Sequence, residues 1–61
     1  MPSGGYGIDQ EDFQMIEEAL QDSVVQKFGM QVEWLATYAT ARAKGASPQE
    51  ASTAAYMEWD L

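Results

Sequence analysis

The sequence predicts an all-α fold, a small bundle of three helical segments at about 10–28, 30–44 and 48–59. Three observations carry that reading. Apolar residues recur every three or four positions through the first and middle stretches, the spacing of a single helix face. The run Ser47-Pro48-Gln49-Glu50 joins an N-cap, a proline pre-set for the first helical position and a glutamate that closes a capping box. No stretch alternates apolar and polar residues over the length of a strand, and Ser23-Val24-Val25 is only a brief β-branched interruption of a helical period.

Residues 1–8 carry Pro2, Gly4, Gly5 and Gly7 and predict a flexible N-terminal arm, with Tyr6 as its one adhesive side chain. The arm either frays or orders on a partner. Residues 9–61 form a single helical mini-domain. Asp9 is placed to cap the first helix, with Ile8 and Phe13 as a hydrophobic staple and Glu11 and Asp12 at the favourable end of the helix dipole. Phe13, Ile16, Leu20 and Val24, with Phe28 at the edge, form its predicted buried stripe. Gly29 suits a left-handed C-cap. Met30 and Gln31 are poor caps, and the apolar spacing runs through the glycine to Val32, Leu35 and Ala39. The first two segments are therefore two helices meeting at a sharp corner or one long helix bent at Gly29.

The middle segment is the predicted centre of the bundle. Val32, Leu35, Ala39 and Ala43 make one apolar stripe, and Met30, Trp34, Tyr38 and Ala41 a second, with Glu33, Thr37, Thr40 and Lys44 between them. Two stripes predict burial on two sides. Arg42 and Lys44, cations suited to a last helical turn, precede Gly45, which ends the segment. The third helix presents Ala51, Ala55 and Trp59, flanked by Ala54.

Composition narrows function by exclusion. The chain has 61 residues, no Cys and no His. Disulfides are excluded and a structural zinc site has only carboxylates to draw on. General acid–base and nucleophilic catalysis lose their usual residues, and no serine has a base beside it, so no enzyme, cofactor or metal is expected. Asp9, Glu11 and Asp12 resemble the start of a calcium loop but lack its glycine and distal glutamate. Ten acids against three bases give a net charge of −7. That disfavours nucleic acid and anionic membranes and favours basic protein partners. The expected location is the cytoplasm, the host's if the protein is viral. No motif ties the chain to a family; in size, acidity and lack of cysteine it resembles phage-encoded accessory and inhibitor proteins.

Three surfaces are candidates for partner binding. Glu11, Glu18 and Asp22 form an acidic face on the first helix with no cation three or four residues away. Glu58, Trp59 and Asp60 form an aromatic–acidic tail where the dipole favours cations. Met30, Trp34 and Tyr38 are core or interface. The expected function is an acidic inhibitor or adaptor docking on a basic, nucleic-acid-binding type of surface. The alternative is a self-assembling subunit that buries the Met30/Trp34/Tyr38 stripe against a copy of itself.

Overall fold

Four helices make up the computed structural model, which describes residues 9–61: α1 (Gln10–Gln21), α2 (Ser23–Phe28), α3 (Gln31–Ala43) and α4 (Pro48–Glu58). Of the described residues 79% are helical and none lies in a strand, so the chain forms the small all-α bundle read from its sequence. The arm at 1–8 and the Ile8–Phe13 staple lie outside the described residues. Among the described residues no helix is long and apolar enough to cross a membrane.

Three segments become four because the first is cut at Asp22. Its backbone is extended (φ −68, ψ 129), and its carboxylate accepts the N–H of Val24 at 2.8 Å and of Val25 at 3.3 Å. Aspartate competes with a continuing helix by bonding nearby N–H groups, so it starts a new helix here. The Gln26 side-chain amide donates to the Leu20 carbonyl at 2.8 Å and satisfies an oxygen freed by the break.

The chain then reverses through a repeated device. Gly29 is left-handed (φ 63, ψ 35); its N–H donates to the Gln26 carbonyl, and that of Met30 to the Val25 carbonyl. This paired closure is a Schellman motif, and it excludes the single helix bent at Gly29. Gly45 (φ 105) closes α3 the same way, with Gly45 N–H to Arg42 and Ala46 N–H to Ala41. Asp60 (φ 57) closes α4, with Asp60 N–H to Met57 and Leu61 N–H to Tyr56. The start of α4 is as read: Glu50 N–H donates to Ser47 Oγ at 3.1 Å, and Ser47 N–H to the Glu50 carboxylate at 3.0 Å.

The core is Trp34, Tyr38 and Val25 set among Ala19, Ala51 and Ala55. Trp34 stacks on Tyr38 (5.2 Å between ring centroids, 15° between planes), and Tyr56 meets Trp34 edge-on at 5.5 Å. Alanine faces on α1 and α4 let those helices close onto the rings. The stripe expected to be buried on α1 is instead largely in solvent: Phe13, Leu20, Val24 and Phe28 are exposed, and Ile16 is half-buried. On α3, Val32, Leu35, Ala39 and Ala43 are exposed too, so that helix is buried on one side rather than two. The reason is volume. Two aromatic rings stacked against small residues fill the interior, and no space remains for the aliphatic stripe.

Candidate functional site

The expelled apolar residues are not scattered. On α1, Asp9, Phe13, Ile16 and Leu20 fall at i, i+4, i+7 and i+11, one side of the helix. On α3, Leu35, Ala39 and Arg42 fall at i, i+4 and i+7. Arg42 reaches back to Asp9 (3.9 Å) and Asp12 (2.9 Å), so the start of α1 lies beside the end of α3 and both strips border one seam. Val32 at the start of α3 extends the α3 strip at i−3 from Leu35, and Val24 and Phe28 of α2, four apart, are exposed as well. Phe13 is 62% exposed, Phe28 60% and Val32 76%. Single exposed apolar residues are ordinary, whereas a run of large ones along one seam marks a contact surface.

One end of the seam is held by a buried polar clamp. Asp12 Oδ1 accepts the Tyr38 hydroxyl and Arg42 Nε (2.9 Å), while Oδ2 accepts Arg42 Nη2 (3.2 Å) and the Asp9 N–H (3.2 Å). Arg42 Nη1 donates onward to the Ala46 carbonyl at 2.9 Å. The Arg42 bond is the main reason the Asp12 carboxyl is held down to about 2, with burial opposing it and the Tyr38 and Asp9 bonds assisting. Burial, then the bond to Asp12, pushes the Tyr38 phenol far above its ordinary range. Asp12 in turn raises Arg42. Shifts in these directions fix the charge states across the neutral range, so the group ties α1 to α3 rather than exchanging protons. Sequence reasoning placed Asp12 only at the helix dipole. The available signal was Tyr38 and Arg42, four apart on one helix side and able to converge on a single acid. Among the described residues no group of three or more acids is placed to hold a metal ion.

The residues singled out from sequence divide sharply. Glu11 and Glu18 are exposed, across α1 from the seam. Asp22 does not belong with them as a free docking acid, because it caps α2. After burial, the charges of Asp22 and Glu18 raise the Tyr56 phenol, which sets that acidic flank toward α4. Trp34 and Tyr38 are buried within the chain and Met30 is half-buried against the core, so the chain itself covers this stripe. The Trp34 indole N–H has no hydrogen-bond partner among the described residues. Glu58 and Asp60 are exposed, but Trp59 is half-buried and donates its indole N–H to Thr37 Oγ1 at 2.8 Å. The tail is wound onto the bundle. Phe13, Leu20, Val24, Phe28, Val32 and Leu35, assigned to the core from sequence, are the surface residues that reasoning missed.

Comparison with protein-family models, with characterised proteins and with solved structures finds no match. The site has to be interpreted from its own chemistry. Both ion pairs among the described residues are made by Arg42. Glu11, Glu17, Glu18, Asp22, Glu33, Glu50, Glu58 and Asp60 make none there.

Proposed function

We propose that this chain is a protein-interaction module, an inhibitor or adaptor that docks its acidic side on a basic partner surface of the kind that otherwise holds nucleic acid. The observation that carries the reading is uncompensated charge. The one arginine is spent on Asp12 and Asp9, and Lys27 and Lys44 face eight acids that have no ion pair among the described residues. Such a field speeds encounter with a cationic partner and repels nucleic acid and copies of itself. A chain without cysteine suits a reducing compartment inside the cell. Self-assembly on the Met30/Trp34/Tyr38 stripe has no support, since those side chains are already covered.

The test is a titration of the isotope-labelled protein with a Lys/Arg-rich peptide that lacks apolar residues. Saturable, salt-sensitive binding is expected, with the shifted amides concentrated on α1–α3. Glu11→Lys with Glu18→Lys should slow association several-fold without lowering the melting temperature. Shifts spread evenly over the chain, or association indifferent to salt and to the double variant, would reject the reading.

A further inference from the structure

We propose that the apolar seam between α1 and α3, together with Val24 and Phe28 of α2, seats a basic amphipathic helix of the partner. This rests on the acidic-docking reading and specifies what docks and where.

The geometry favours a helix. The start of α1 lies beside the end of α3, because Arg42 near the end of α3 binds Asp9 and Asp12 at the start of α1. α4 packs on a different side of α3, where Trp59 bonds Thr37. A helix laid along the seam would cover the α1 and α3 strips together, the common way such strips are buried. Phe13 and Leu20 stand two turns apart, roughly 10 Å along α1, which matches anchors two turns apart on an incoming helix.

The charge favours a basic one. Glu17 sits inside the strip, one turn from both Phe13 and Leu20. Over residues 9–36 Glu11, Glu17, Glu18 and Glu33 have no ion pair among the described residues, against the single cation Lys27, whose ammonium lies 5.7 Å from the Phe28 ring centre. A second copy would bring the same surplus of acid against itself. A helix with leucine-like residues on one side and lysine or arginine beside them meets both features.

Two synthetic peptides of identical Lys/Leu composition, each about five turns long, test the inference. One places its leucines on one helical side and the other scrambles them. The patterned peptide should gain helicity on mixing and bind at least tenfold more tightly than the scramble. Phe28→Ser with Val32→Ser should remove that advantage, as should Phe13→Ser alone, while Met57→Ser, equally exposed but on α4, should keep it. All of these positions lie mostly in solvent, and unchanged melting curves verify folding. If both peptides bind alike and the seam variants change nothing, the seam is not the seat, and acidic docking stands alone. If neither binds, both readings fall. A concentration-dependent dimer that Phe28→Ser with Val32→Ser dissolves would make the occupant a second copy and overturn the inference.

Discussion

Asp12→Asn keeps the shape of the clamp and removes its charge, which makes it the most informative single change to the fold. In the parent, the carboxylate accepts bonds from Arg42, the Tyr38 hydroxyl and the Asp9 N–H. Bonds to a charged group are worth about 1.5–3 kcal/mol each. Breaking a buried pair outright costs about 3–5 kcal/mol. Arg42, however, is 32% exposed and recovers water when released, which brings the expected loss down to about 2 kcal/mol. The lowered carboxyl gives a second figure from the same bonds. The Asp12 carboxyl lies at about 2 in the folded chain against an ordinary 3.8, a difference worth about 2 kcal/mol before solvent screening is discounted. The folded value is depressed, so this stability is fully present above the ordinary carboxylate range. It is lost as pH falls through about 4 toward 2. Urea denaturation of parent and variant across that range, at constant salt, measures it. The gap between the two should be about 2 kcal/mol at neutral pH and close to zero near pH 2. The other acids are common to both proteins and cancel in the difference. At neutral pH, a loss of this size should lower Tm by roughly 10–15 °C in a domain this small. A gap that stays constant with pH, or no gap at all, would show that the clamp does not hold α1 to α3 through charge.

Three local changes test the helix ends. Asp60→Gly should raise stability by about 1 kcal/mol in urea denaturation, because glycine takes the left-handed C′ position without the strain a β-carbon brings; a loss would mean the Asp60 side chain has a role of its own. Ser47→Ala should cost about 1 kcal/mol by removing the Oγ acceptor of the Glu50 N–H, and coincident melts would show that α4 does not depend on that cap. Asp22→Ala should cost about the same and should raise hydrogen exchange selectively at the Val24 and Val25 amides; protection that stays even across both would place the break in the helix elsewhere.

What could be read from the sequence is what local chemistry decides. Ser47, Pro48 and Glu50 act within one turn of each other, and α4 begins where they say. Gly29 and Gly45 stand where only a residue free of a β-carbon turns left-handed cheaply, and both end helices. What could not be read is what the whole volume decides. Two stripes on α3 share one period, and spacing does not say which of them faces inward. Trp34 and Tyr38 win because Ala19, Ala51 and Ala55 leave room for rings on that side. Leu20 and Leu35 then lose their expected place at the centre. Asp22 was legible as an acid but not as a cap, because the surrounding apolar period runs straight through it. The candidate surface therefore emerged by inversion: the stripes read as core carry the contact residues, and the stripe offered as an interface is the core.

The small core and the acidic exterior follow from one allocation of residues. Among the described residues six hydrophobic ones are buried, and three of them are alanine. Burial is worth about 25 cal/mol per Å² of apolar surface, and alanines contribute little of it. A chain that leaves Phe13, Phe28 and Val32 in water forgoes stability that a domain of this size can ill spare. The clamp offsets part of that loss, yet it consumes the one arginine, and the remaining acids have no ion pair among the described residues. Apolar side chains are thus left uncovered along one seam and the charge of the described residues is left unbalanced, while the helix ends at Gly29, Gly45 and Asp60 and the start of α4 are closed by hydrogen bonds. Such deviations concentrated on one surface mark where function overrides foldability. A partner that covers the seam and neutralises its acids would remove both deficits in a single contact, so the stability missing from the free chain becomes binding energy for the complex.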